Sequence, residues 1–200
     1  VFALRQTDHP LTDPHGISLD PAAAGRLAKR ASRMTPAQLA EIPGISSSRA
    51  AGLPAAAAML RVMLTELRPS TLVFSSWGLR EGILFQQLAP EARRQDPLLA
   101  GVSRFCAPRG GEATVAAMIA AWTAAANSEG RGAERLRLAA TMLALAAVHV
   151  EPNLRARQVY AWAMDKRWVG LDPGGRAVMA AALLAATGKT ALPAELERLA

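Results

Sequence analysis

The sequence predicts a mostly α protein, in which the tail of an α/β layer is followed by an antiparallel helical bundle. Hydrophobic residues form 51 % of the chain but aromatic residues only 4 %, and the excess of alanine favours closely packed helices. A strand–turn–helix pattern lies at residues 71–88. After it, residues 97–200 show helical periodicity, short connections and no convincing strand, as expected for a bundle.

The charge and cysteine content limit the partners and the compartment. The 200 residues carry 23 Lys and Arg against 16 Asp and Glu, a net charge of +7. This surplus favours a polyanionic ligand, although arginine-rich surfaces are also common without one. Cys106 is the single cysteine, which fits a reducing cytoplasm, and we expect it to pack as a small apolar residue. No apolar run is long enough to span a membrane, so no membrane partner is expected.

Cap signals and apolar repeats predict the elements before residue 70. Residues 1–7 are predicted as a strand remnant, and Asp20 with Pro21 opens a helix to about residue 33. A short helix covers 36–42. A long helix then runs from about residue 46 to residue 67, with a bend or restart at Pro54. Its predicted buried seam consists of Leu53, Ala57, Leu60, Leu64 and Leu67.

Residues 71–88 carry the pattern around which the rest is arranged. Residues 71–74 are predicted as a short buried strand, and residues 75–78 as a turn that leads into an amphipathic helix. Strand, tight turn and helix direct backbone N–H groups and the positive helix end at an anion. Glu81 suits that end of the helix. Arg80 opposes it, and therefore requires an acidic group nearby, either a ligand or a neighbouring carboxylate.

The second half is predicted to be helical throughout. Each helix is expected to begin at a capping residue or a proline. Four helices are predicted at residues 112–127, 134–148, 153–167 and 172–187, and two more are predicted to begin at residues 97 and 193. Asn153 is expected to be a cap. The helix at 134–148 is the most apolar and is predicted to be the centre of this half. The composition changes within residues 90–97, so we assign two domains, 1–93 and 94–200.

Two other groups of residues suggest a binding site, but each also has an ordinary structural explanation. Residues 39–53 approximate a helix-hairpin-helix, whose glycine turn offers N–H groups to a DNA phosphate, but Ser46 stands where a second glycine is normal. His9 and His15 share a loop with Asp8 and Asp13, but no second cluster stands at metal-ligand spacing, so a surface loop is the better explanation. No complete catalytic set is present, and no metal site is expected in this chain.

Several segments resemble the C-terminal portion of the exopolyphosphatase / guanosine pentaphosphate phosphohydrolase (Ppx/GppA) family. They lie in collinear order over nearly the whole chain, which we expect to be a piece of a longer protein because it begins in mid-pattern at Val1. The segments are Ile42-Pro-Gly-Ile45, Arg49-Ala50, Leu53-Pro54-Ala55, Gly78-Leu-Arg-Glu-Gly82, Asp96-Pro-Leu-Leu99, Val169-Gly-Leu-Asp172 and Gly175-Arg-Ala177.

The resemblance implies an actin-like (ribonuclease-H-like) α/β lobe over residues 1–93. In the family, two such lobes enclose a Mg²⁺-dependent site that removes terminal phosphate from polyphosphate or guanosine pentaphosphate. The family's phosphate loops and catalytic glutamate match no residue here, so the chain alone is expected to be inactive and Mg²⁺ to bind upstream. The substrate-contact candidates are Arg49, Ser75, Gly78, Arg80 and Glu81. Many members carry Asp-Gly where this sequence has Ser76-Trp77.

The resemblance also implies an HD-like helical domain with a degenerate metal site over residues 94–200. Residues 145–147 read Leu-Ala-Ala where an aspartate is expected, Glu151 stands nearby, and Asp165 and Thr187 stand where histidine would be sought. The remaining roles are packing, homodimer formation or polyanion docking. The alternative for the whole chain is a basic, non-enzymatic module that binds nucleic acid or another polyanion through the Ile42–Ile45 hairpin; the resemblance disfavours it.

Overall fold

A computed structural model describes residues 13–126 and 131–199, most of which are helical. The chain forms two compact units, one ending at Ser76 and the other beginning at Trp77. The described helices are all too short or too polar to cross a lipid bilayer. Because most of the described residues are helical, the prediction of a mostly α protein is confirmed. The two predicted fold families, and the domain division at residue 93, stay predictions because helix content does not identify either fold.

The first unit combines short helices with one strand pair. In chain order its described elements are β1 (Ser18–Leu19), α1 (Pro21–Ala31), α2 (Pro36–Ala40), α3 (Ser47–Ala50), α4 (Leu53–Leu67) and β2 (Leu72–Val73). The two strands are antiparallel, with Ser18 opposite Val73 and Leu19 opposite Leu72. The strand predicted at 71–74 is confirmed, but its predicted burial is wrong, since Val73 is 64 % exposed. The strand predicted at residues 1–7 lies outside the described residues.

An alanine contact between α1 and α4 forms the core of the first unit. Ala28 and Ala31 on α1 pack against Ala57 on α4, with Leu60 beside them. Small side chains let the two helix backbones approach closely, as the composition predicted. The long helix predicted at 46–67 is divided into α3 and α4, and Pro54 stands at the start of α4, so the predicted restart is confirmed. The predicted seam is wrong at its end, where Leu67 is 69 % exposed.

The second unit is helical throughout its described residues. Its α-helices are α5 (Leu79–Gln86), α6 (Pro90–Arg94), α7 (Pro97–Cys106), α8 (Ala113–Trp122), α9 (Arg131–Ala146), α10 (Pro152–Met164), α11 (Pro173–Ala186) and α12 (Ala194–Glu197). As predicted, α9 is central, because it packs against α7, α8 and α11. Cys106 is buried in this core, and burial raises the pKa of its thiol to about 11, which confirms its packing role.

Two predictions about the second unit are wrong, one about what covers a helix and one about where a helix begins. The α5 helix exists, but its apolar face is exposed rather than packed, with Leu79 83 % accessible. Asn153 is not a cap; it lies inside the first turn of α10, whose N-cap residue is Glu151. On α8 the buried positions are Ala116 and Ala120, and the large apolar side chains of that helix face solvent.

Arg135 joins two of the segments that carry the family resemblance. Asp96 caps α7 by accepting from the Leu98 and Leu99 N–H groups at 2.9 and 3.0 Å, and its other carboxylate oxygen lies 3.0 Å from Arg135 Nε. Arg135 Nη2 also donates to the Gly170 carbonyl at 2.9 Å. These residues of the helical half therefore have a structural explanation, since one side chain ties the start of α7 to the turn before α11.

Arg176 holds the ends of α10 and α11 together. It is only 1 % exposed, and its Nη1 donates to the carbonyls of Ala163, Met164 and Lys166 at 3.1, 3.3 and 2.7 Å. The last carbonyls of a helix have no partner within the helix and carry partial negative charge. A guanidinium from the neighbouring helix satisfies them, and in return they solvate its buried charge.

Replacing Arg176 should therefore destabilise the second unit. We expect Arg176→Met to lower the free energy of unfolding by about 3 kcal/mol, because the carbonyls at the end of α10 lose their donor while the apolar volume is kept. Urea denaturation followed by tryptophan fluorescence measures the change. The control is Arg157→Met on the exposed face of α10, expected within about 0.5 kcal/mol of the parent chain. If Arg176→Met lowers the free energy of unfolding no more than Arg157→Met does, the stabilising role assigned to Arg176 is contradicted.

Candidate functional site

The N-terminus of α5 is closed by its own first turn. The Gly78 N–H donates to Glu81 Oε2 at 2.8 Å. This backbone N–H, which the sequence suggested as a donor to a bound anion, is therefore already occupied by Glu81. This hydrogen bond is the main cause that lowers the pKa of Glu81 below its usual 4.5, and the charge of Arg80 lowers it further. Gly78 and Glu81 therefore shape the turn and stabilise the helix end.

Arg80 extends from this turn into solvent. Its side chain is 90 % exposed, and its Nε lies 3.9 Å from Glu81 Oε1 in the same turn. An exposed pair at this distance contributes little to stability. The neighbouring carboxylate that the sequence left open for Arg80 is therefore Glu81, and the described residues provide no inter-helix salt bridge to Arg80. Its guanidinium therefore remains available to an external anion.

In the first unit, the end of β2 is fixed by a loop that precedes β1. Ser76 Oγ donates to Asp13 Oδ1, and the Ser76 N–H donates to His15 Nδ1 at 3.3 Å. The His15 N–H donates to the same Asp13 oxygen at 3.2 Å. Asp13 is 9 % exposed, and these donors compensate part of the cost of burying its charge. The loop at residues 13–15 is thus anchored to the turn that the sequence singled out.

These three residue types do not form a nucleophile and its base. In a Ser–His–Asp arrangement, the serine donates its hydroxyl proton to a histidine nitrogen, and the carboxylate orients that histidine. Here the hydroxyl donates directly to Asp13, and His15 Nδ1 accepts from the backbone of Ser76. The arrangement positions a loop and offers no activated nucleophile.

The structure brings together only some of the five predicted contact residues. Gly78, Arg80 and Glu81 share the first turn of α5 in the second unit, whereas Arg49 and Ser75 belong to the first unit. Arg49 lies exposed in α3, with no salt bridge to a carboxylate in the described part of the chain. Within residues 13–126 and 131–199, no group of three or more His, Cys, Asp or Glu side chains is placed to hold a metal ion. His9 and Asp8 lie outside the described residues.

The comparison with known families matches residues 4–91, which contain these turns and all five contact candidates, to the Ppx/GppA phosphatase family. Residues 4–91 belong to the Ppx/GppA family. A relative, exopolyphosphatase 1 of Mycobacterium leprae (strain TN), is 36 % identical over 85 residues, which cover 36 % of this chain and 25 % of the relative. The aligned part thus spans about a quarter of the length of the curated relative.

Sequence reasoning about this Ppx/GppA region missed the loop that supports the turn. Asp13 was considered only as part of a metal site, yet it contacts Ser76, 63 positions away. A contact across that distance leaves no local spacing in a single sequence. The sequence does show an aspartate and a histidine shortly before β1, which indicates a polar loop. It does not indicate that Ser76 is the residue this loop contacts.

The Glu81 cap should titrate at an unusually low pH. Because its pKa in the folded chain is lowered, the cap is fully formed above pH 4.5 and is lost as the pH falls through the lowered value. We expect the Gly78 amide shift in ¹⁵N–¹H spectra to change with a midpoint below 4.5. In Glu81→Gln this titration should disappear, whereas Glu91→Gln on α6 should leave it unchanged. A midpoint at or above 4.5 would contradict the cap.

Proposed function

We propose that this chain is the C-terminal part of a cytoplasmic exopolyphosphatase-type phosphohydrolase, which removes terminal phosphate from polyphosphate or guanosine pentaphosphate. The observation that carries the proposal is the match of residues 4–91 to a phosphatase family. The relative named as an exopolyphosphatase supports the choice of substrate class. The net charge of +7 is compatible with a polyanionic substrate.

Within this proposal, the chain contributes substrate contacts and not the reacting groups. Arg80, with its exposed guanidinium, is the first candidate for a charge-assisted hydrogen bond to a phosphate oxygen, and Arg49 is the second. Gly78 and Glu81 hold the turn from which Arg80 extends, and Ser75 precedes the anchored Ser76. The chain alone is proposed to be inactive, because the phosphate loops and the catalytic glutamate of the family match no residue in it.

In the whole enzyme, water would attack the terminal phosphoryl group, and positive groups would stabilise the charge that develops on its oxygens. We place the magnesium ligands upstream of this chain, because the family resemblance puts the phosphate loops and the catalytic glutamate there. When bound there, Mg²⁺ would neutralise part of the phosphate charge. The helical part would serve packing, homodimer formation or docking of the polyanion, as an HD-like domain whose metal site is degenerate.

The contribution of Arg80 can be tested in the enzyme that contains this chain. We expect Arg80→Ala to reduce phosphate release from long-chain polyphosphate at least about tenfold at low substrate concentration, because one charged contact to phosphate is lost. The matched control is Arg93→Ala, which removes an exposed arginine on α6 and should leave phosphate release unchanged. Equal rates for both variants would leave Arg80 with only a structural role.

A second candidate function rests on the hairpin between α2 and α3. These two helices pack together, and Gly44 between them has φ +87°, the backbone conformation that such a turn requires. This geometry agrees with a module that binds nucleic acid or another polyanion. The exposed Arg49 would then contact a phosphate of the duplex.

Titration with duplex DNA distinguishes the two candidates. A hairpin that makes about four phosphate contacts would bind roughly a hundredfold more weakly at 200 mM than at 50 mM salt. In that case Gly44→Ala, which is strained at positive φ, would abolish binding, and Gly52→Ala, whose Cβ would meet no atom within 4 Å, would not. We expect the phosphohydrolase chain to show neither the steep salt dependence nor the sensitivity to Gly44→Ala.

A further inference from the structure

A cavity of about 800 Å³ lies between α8, α9, α10 and α11, wholly inside the second unit. Its walls are aliphatic, with side chains such as Leu136, Leu145, Val159 and Met179. Among the described residues, those that line it include no aromatic and no acidic side chain. This volume is within the range of cavities that hold small organic ligands. The proposed phosphohydrolase function makes no use of it.

The threonines of the cavity offer no free hydroxyl donor. Thr123, Thr141 and Thr187 donate to the carbonyls of Ile119, Arg137 and Leu184 at 2.9, 2.9 and 2.7 Å. Each bond closes onto the helix that carries the threonine. The polar character of the cavity is therefore set by its two arginines.

Arg137 and Arg155 both place a buried Nε–H in this region without a hydrogen-bond partner among the described residues. Arg155 is largely accounted for, because its Nη2 donates to the carbonyls of Val148 and Val150 at 2.9 and 3.1 Å and closes the turn after α9. Arg137 has one such bond, from Nη1 to the Thr123 carbonyl at 3.2 Å. Neither arginine forms a salt bridge with a described carboxylate. Arg137 is thus the less satisfied cation.

The two cations belong to different ends of the cavity. Positions 137 and 146 are about 14 Å apart along α9, at 1.5 Å per residue, and position 148 lies in the turn that follows. Arg155 binds the carbonyl at position 148, whereas Arg137 binds the end of α8. The wall between them is apolar. A ligand that fits must therefore be elongated and apolar, with a hydrogen-bond acceptor of negative charge at one end.

We propose that this cavity binds an aliphatic carboxylate, with the carboxylate on the Arg137 guanidinium and the hydrocarbon chain along the wall between α9 and α11. The positive charge of the Arg137 guanidinium, which no described carboxylate neutralises, selects a carboxylate over a neutral or cationic head group. The absence of aromatic lining disfavours a nucleobase, which would seek a stacking partner. Polyphosphate would place many charges against apolar walls, at a large cost in desolvation.

Calorimetric titration of the full 200-residue chain with dodecanoate tests the proposal. We expect one saturable site, and at least about tenfold weaker binding of dodecyltrimethylammonium, which has the same chain length and the opposite charge. Arg137→Gln should weaken dodecanoate at least about tenfold, because a charged hydrogen bond is lost. Arg137→Lys should retain most of the affinity, and Arg104→Gln, on the exposed side of α7, should retain all of it.

A second variant tests the location independently of the charge. Ala182 is exposed on α11 and lines the cavity, so Ala182→Trp should fill the space, abolish dodecanoate binding and leave the helical circular dichroism unchanged. This variant also decides the matter if Arg137→Gln does not fold. Absence of binding, binding that Ala182→Trp does not affect, or equal binding of the cationic amphiphile would overturn the proposal.

Discussion

The second unit depends on one buried cation, the guanidinium of Arg176. An isolated charge in an apolar interior is very costly, and it is tolerated only when surrounding dipoles replace water. Three carbonyls near the end of α10 provide those dipoles, which fixes the start of α11 against the end of α10. Because α11 also packs against α9, this contact fixes the relative placement of three of the four helices around the cavity.

Features that depend on a few neighbouring residues were predictable from sequence. Asp20, Asp96 and Asp172 all cap their helices as predicted, because a cap needs only the N–H groups two or three positions ahead. Burial was less predictable. Leu67 and the apolar face of α5 have helical spacing but remain exposed, since spacing shows which residues share a face and not whether another element covers it.

In the candidate site, too, contacts between neighbouring residues could be predicted and contacts between distant residues could not. Glu81 and Gly78 are three residues apart, so their contact follows from the helix start, whereas Asp13 and Ser76 meet only after the strands have paired. The buried Nε of Arg137 was invisible for a further reason. In sequence it is one arginine among several on a helix, and only the fold places it beside apolar walls with no described carboxylate paired to it. Under the two proposals, the exposed Arg80 and the Arg137 that lies beside apolar walls would bind different kinds of anion.

Cys106 gives this molecule a built-in chemical reporter. The thiolate is the reactive form of cysteine. Burial raises the pKa of the Cys106 thiol to about 11, so at neutral pH this thiol is almost entirely protonated and unreactive. Because the chain has one cysteine, modification by a thiol reagent has a single possible origin. The rate of labelling thus reports how often the core opens at this one position of α7, rather than an average over the fold.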